Sequence, residues 1–234
     1  MTGSERHAVE LIRLIDNSTY VPRADPTYVA LGFLDEYWGR TVVKGGETVE
    51  TFYPDEKNRV PRFVATLEAI AKEGNITTEI RQEIGPQGHI AVISRELTAH
   101  LDKLYAPNFD GARNFTDVDG RKRRAIRVGI GVEMFPELRS RQYKPEEVDC
   151  RFSYLLGCHI RYGKDNSFKL ANAAHKVKLV IELLECLGAS WIKWSWTIRT
   201  APIGHRIEFG PDAVLTRLLG LAADFGKWDE SAPG

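Results

Sequence analysis

The sequence predicts an α+β fold made by internal duplication: two copies of one αββαββα plan, with mixed or antiparallel sheets. Three observations predict it. Some segments alternate strictly between apolar and polar residues, others have helical spacing and stop at glycine, and both kinds recur in the same order further along the chain. Residues 75–105 lie without a gap over residues 191–221, an offset of 191 − 75 = 116. In that frame Ile76, Ile80 and Ile84 fall on Ile192, Trp196 and Thr200. Pro86, Gly88 and His89 fall on Pro202, Gly204 and His205, and Phe52 falls on Phe168. Self-similarity of this kind marks a repeated supersecondary unit.

Each element has its own local signal. In residues 76–84, Ile76, Thr78, Ile80, Gln82 and Ile84 face one way and Thr77, Glu79, Arg81 and Glu83 the other, which is the period of a half-buried strand. Residues 191–199 repeat it, with Ile192, Trp194, Trp196 and Ile198 expected inside and Trp191, Lys193, Ser195, Thr197 and Arg199 on the opposite face. Helical spacing over residues 62–73 and 176–187 ends at Gly74 and Gly188. Asp25-Pro26 and Pro145-Glu146-Glu147 open an earlier helix in each copy. Lys44-Gly45-Gly46-Glu47 and Gly163-Lys164-Asp165-Asn166 are expected to turn the first hairpins. The last helix of each copy is placed near Ser94 or Pro211.

The expected organisation is an N-terminal helical extension (1–24), a first copy (25–106), a connection with one extra strand (107–144), a second copy (145–224) and a tail (225–234). That extra strand is read from the alternation of Ile126, Val128, Ile130 and Val132. The three cysteines match no zinc spacing, so reduced, mostly buried thiols in a cytoplasmic protein are expected. No apolar signal core opens the chain and no apolar run would span a membrane. Thirty-two Lys and Arg balance thirty-two Asp and Glu. Zero net charge argues against an indiscriminate polyanion binder, though not against a local basic surface. Residues 25–105 carry 9 − 13 = −4, residues 106–144 carry 9 − 5 = +4 and residues 145–224 carry 10 − 9 = +1.

The plan resembles the single-chain LAGLIDADG homing endonucleases. The signature helix of that family sits where Ala30-Leu31-Gly32-Phe33-Leu34-Asp35-Glu36-Tyr37-Trp38-Gly39 stands here, with an echo in Tyr154-Leu155-Leu156-Gly157-Cys158. The repeat alignment of the first helices, which sets Val29, Phe33 and Tyr37 over Val148, Phe152 and Leu156, would instead end the second helix near Gly157. The resemblance implies a monomeric saddle of two sheets over double-stranded DNA, with two paired helices delivering one carboxylate each to a shared Mg²⁺ site. Such ions bridge the attacking water and the leaving oxygen of a phosphodiester. Counted from Gly32 and Gly157, the acidic position falls on Tyr37 and Tyr162; Asp35 and Glu36 stand just before the first and Ile160 and Arg161 before the second. Asp35 and Glu36 are therefore the catalytic and metal candidates, with Mg²⁺ the cofactor of an active nuclease and no cofactor otherwise.

The resemblance also places a DNA surface on the faces turned away from the core. In the second copy this implies Arg161, Lys169, Lys193, Ser195, Thr197, Arg199 and Arg206, with His159 nearby and Trp191 at the edge. The basic run Arg121, Lys122, Arg123 and Arg124 adds phosphate contacts, since cations and hydroxyls suit phosphates and base edges. In the first copy the same face is expected to carry Arg40, Lys44, Thr51, Tyr53, Thr77, Glu79, Arg81, Glu83, Ile90 and Val92, a poor set for DNA. His89 and His205 are expected to anchor their Pro-x-Gly loops through backbone hydrogen bonds. Three functions follow: a DNA-binding protein that has lost cleavage, a Mg²⁺-dependent DNA endonuclease using Asp35 and Glu36, or a protein-interaction module. The last rests on exposed Ile90 and Val92 as a partner site.

Overall fold

A computed structural model describes residues 23–34, 41–42, 46–105, 112–116, 122–126, 145–171, 174–197, 204–211, 215–216 and 219–220. The fold is α+β, and its sheets are antiparallel. Helix α1 (Pro26–Phe33) is started by Asp25, whose side chain accepts from the Thr27 and Tyr28 amides, with Pro26 at the first helical position. Strands β1 (Thr41–Val42) and β2 (Thr48–Phe52) and a 3₁₀ turn (Pro54–Arg59) follow, then α2 (Val60–Glu73). Next come β3 (Arg81–Ile84), β4 (Ile90–Ile93) and α3 (Arg95–Tyr105). The connection forms β5 (Ala112–Thr116) and β6 (Lys122–Ile126). The second half holds α4 (Pro145–Tyr162), β7 (Gly163–Lys164), β8 (Ser167–Ala171), α5 (Ala174–Cys186), β9 (Trp191–Thr197) and β10 (Gly204–Gly210).

Both long covering helices end in the six-to-one bond of a Schellman cap. The residue with positive φ is Asn75 after α2 and Gly188 after α5, so Gly74 is not the left-handed residue its position suggested. Ile76 N–H bonds Ala71 O at 2.8 Å, and Ala189 N–H bonds Leu184 O at 2.9 Å.

The two halves differ in their sheets. Among the described residues the second has four strands in the order β7-β8-β10-β9 and the first three, β2-β4-β3. Among the described residues β1 pairs with β6 rather than with β2, Thr41 opposite Ala125, in a third sheet ordered β1-β6-β5. Three residues of the basic run, Lys122, Arg123 and Arg124, thus lie in a strand. The extra strand expected beyond Ile126 falls outside the described residues, as do the helix expected before Arg23 and the tail. The strand expected over residues 76–84 is reduced to Arg81–Ile84.

One core runs through both halves. Phe33, Phe52 and Phe63 are fully buried, and Phe63 meets each of the other two rings at 5.3 Å. Phe168 and Phe209 stack at 5.6 Å in the second half. Between them α1 and α4 cross at glycine. A Cβ on Gly32 would lie 2.8 Å from Cys158 N and closer still to Tyr154 O. One on Gly157 would lie 2.9 Å from Val29 C and closer still to Val29 O. Only hydrogen fits at either place, so the two backbones touch. Helix α4 therefore runs through Gly157 to Tyr162, and the repeat alignment of the first helices, which ended it near Gly157, is corrected.

Candidate nucleic-acid interface and the helix-pair junction

Where α1 ends against α4, the chain assembles a buried charged cluster. The last turn of a helix leaves carbonyls without partners and a partial negative charge. Here Arg161 Nη1 donates to Phe33 O at 2.6 Å, while Lys176 Nζ donates to Gly32 O at 2.9 Å and also to Leu34 O. The Tyr162 hydroxyl donates to Phe33 O or Leu34 O, each at 3.4 Å. Both cations are about 1% exposed. Arg161 also grips Glu56 with two bonds, Nε to Oε1 at 2.9 Å and Nη2 to Oε2 at 3.1 Å. It reaches Glu50 at 3.4 Å and Thr51 O at 3.2 Å, and lies 4.5 Å over the Phe52 ring. Among the described residues Lys176 has only the two carbonyls and the rings of Tyr154 and Tyr162, 5.7 and 5.1 Å away. Burial pushes the Glu56 carboxyl up, but the hydrogen bonds and charge of Arg161, with the Tyr53 amide, hold it below the usual carboxylate range. Burial also works against the Arg161 charge, yet Tyr162, Glu50 and Glu56 raise its pKa well above that of free arginine.

Arg161 was expected on the DNA face and is instead interior. Its length and five donors suit the open carbonyls at the end of α1. The described residues do not fit a divalent ion: the Arg161 guanidinium and the Lys176 ammonium occupy the junction, and both nearby carboxylates are held by Arg161. No cluster of three His, Cys, Asp or Glu able to hold a metal occurs among the described residues. Asp35 and Glu36 lie outside the described residues.

The other predicted residues divide by strand parity. On the outer face of the second sheet, registers place Ser167, Glu208 and Lys193 in one row, Lys169, Arg206 and Ser195 in the next, and Ala171, Gly204 and Thr197 in the third. Lys169, Lys193, Ser195, Thr197 and Arg206 are all exposed. Glu208, the one carboxylate of these rows, is taken by Arg206 at 2.8 Å. Arg199 and Arg121 lie outside the described residues, and Lys122, Arg123 and Arg124 are described only as backbone in β6. His159 turns to the Asp165 carbonyl at 3.0 Å and packs edge-on to Phe168.

Trp194 and Trp196 do point to the core side, opposite Ile207 and His205, but they are 45% and 51% exposed. Strand β9 is the edge of its sheet, so these rings project past the helix cover. His205 stacks on Trp194 at 6.1 Å with its Nδ1 buried and unbonded. Its Pro-x-Gly loop falls largely outside the described residues, and burial lowers its pKa. His89 instead meets Tyr53 edge-on at 5.1 Å.

In the first half Ile90 and Val92 are corrected to the core side. Val92 is fully buried opposite Gln82, and Ile90 packs on the core between Phe52 and Ile84. Ile84 pairs with Ile90 across residues 85–89, whereas Thr197 pairs with Gly204 across residues 198–203, one residue more. That single residue reverses the face of the following strand. The outer face here carries Arg81, tied to Glu47 at 3.3 Å and to Glu83 at 4.0 Å.

None of the three cysteines is in a disulfide, and Cys158 is fully buried. No helix among the described residues is long and apolar enough to cross a membrane. No protein-family model matches the sequence and no curated protein matches it. Among solved structures, the chain is similar to the homing endonuclease I-DmoI. To I-DmoI in complex with DNA and Mn it is 11% identical over 88% of this chain and 98% of that one, with a TM-score of 0.49. To a structure from a study of mesophilic variants of the same enzyme it is 12% identical over 87% and 96%, also at 0.49.

Proposed function

We propose that this chain is a double-stranded-DNA-binding protein that resembles the LAGLIDADG type and has lost cleavage. The observation that carries the reading is the outer face of β8, β10 and β9. Lys169, Lys193 and Arg206 stand on it with Ser195 and Thr197, and its one carboxylate is already occupied by Arg206. Cations spaced on a twisted sheet hold phosphates, and neighbouring hydroxyls add hydrogen bonds. Loss of cleavage is supported by Arg161 and Lys176 at the junction, where fixed positive charge repels the ion that phosphodiester hydrolysis needs. Arg199 and the run Arg121–Arg124 remain proposed contributors.

The test is retention of the purified protein on a random duplex pool at low and moderate salt. Affinity is expected to fall with salt, and Lys169→Glu or Lys193→Glu to reduce the log–log slope by about one each. Binding indifferent to salt and to both reversals would overturn the reading. The alternative, a Mg²⁺-dependent endonuclease using Asp35 and Glu36, requires cleavage of a selected duplex that Asp35→Asn or Glu36→Gln abolishes.

A further inference from the structure

We propose that Trp191 is a stacking platform for a nucleobase out of its stack, so that this face prefers DNA with an unpaired base over intact duplex. The inference rests on the DNA-binding reading of the same face and names what one end of it recognises. Alternation puts Trp191 on the outer face with Lys193, Ser195 and Thr197, one pleat repeat (~7 Å) from Lys193. Its strand partner is Gly210. A Cβ at that position would fall 2.6 Å from Trp191 Cδ1 and closer still to Nε1, so the indole edge fills the place of the missing side chain. Gly210 is buried as a result, while Trp191 stays 55% exposed.

The platform is held in place from below. Ser190 N–H and its hydroxyl both donate to Gly210 O, at 2.8 and 3.0 Å, fixing the start of β9. A half-open indole pinned beside a lysine joins the two elements that bind exposed bases: a ring to stack on and a cation for the adjacent phosphate. Bases inside a duplex are already stacked and offer the ring no face. A bulged or flipped base does. Trp194 and Trp196 lie on the opposite side of the strand and serve as internal controls.

The experiment compares affinities for a labelled duplex and for the same duplex with one bulged base. Wild type is expected to bind the bulged duplex more tightly. Trp191→Ala should weaken the bulged duplex by about tenfold more than the intact one, while Trp191→Phe keeps most of the preference and Trp194→Ala all of it. Melting temperatures are read alongside, and Trp191→Phe keeps the question answerable if Trp191→Ala does not fold. Equal weakening of both duplexes by Trp191→Ala, or of neither, overturns the proposal. Lys193→Glu with Arg206→Glu separates the failures. If that pair weakens both duplexes, the DNA reading survives without the platform; if it weakens neither, both fall.

Discussion

Replacing Arg161 by methionine should be among the most damaging single changes in the protein. The guanidinium is fully buried, holds Glu56 with two bonds, lies 3.4 Å from Glu50, and donates to the carbonyls of Phe33 and Thr51. Methionine fills much of the volume but takes from two nearly buried carboxylates the cation that offsets their charge, and from the Phe33 and Thr51 carbonyls one donor each. Breaking a buried pair by removing one partner costs roughly 3–5 kcal/mol, because the surviving charge stays desolvated. For a chain of this size that is a fall in melting temperature of roughly 10 °C. The assay is urea unfolding of wild type, Arg161→Met, Glu56→Gln and the double variant, compared by midpoint at constant slope. The double variant is expected to be less destabilised than the sum of the singles by about 2 kcal/mol, since Glu56→Gln removes one stranded charge. A loss below about 1 kcal/mol for Arg161→Met, or strict additivity, would refute the buried-cluster account.

Other outcomes follow from the same geometry. The folded-state pKa of Glu56 lies below its unfolded value, so its contribution is complete above the unfolded carboxylate range near pH ~4.3. It is lost as pH falls through the folded value, and Glu56→Gln should flatten this acid limb of a stability–pH profile. Gly157→Ala should destabilise by about 3 kcal/mol or prevent folding, because the added methyl meets the α1 backbone rather than a side chain that could turn away; thermal unfolding reads it. Chelating divalent ions should change neither the melting temperature nor DNA retention, since Arg161 and Lys176 already neutralise the end of α1. Stabilisation by Mg²⁺ would contradict this.

Much of the fold was legible because its signals are local. Asp25-Pro26 starts α1 through contacts two and three residues away, and the apolar spacing of residues 62–73 and 176–187 describes helices that differ from the observed ones only at their ends. The outer-face assignment of Lys169, Lys193, Ser195, Thr197 and Arg206 needed only strand alternation and a correct register. The Gly32 and Gly157 signal was also present, as the two Leu-Gly echoes, and it gave the true pairing of the helices where the repeat frame did not.

What the sequence could not decide is whatever depends on partners distant in the chain. Parity tells which side of β9 Trp194 and Trp196 take, but their exposure depends on β9 being an edge strand. Ile90 and Val92 turned inward because β3–β4 and β9–β10 pair in registers of opposite parity, and alternation alone carries no record of that slip. Arg161 looked like a surface cation from its neighbours in the chain. It became an interior one because the glycine crossing of α1 on α4 brings the open carbonyls of Gly32, Phe33 and Leu34 together with Glu56, and only a long side chain with several donors satisfies them at once. Local pattern sets the element and the face; burial and pairing are set by the packing of segments more than a hundred residues apart.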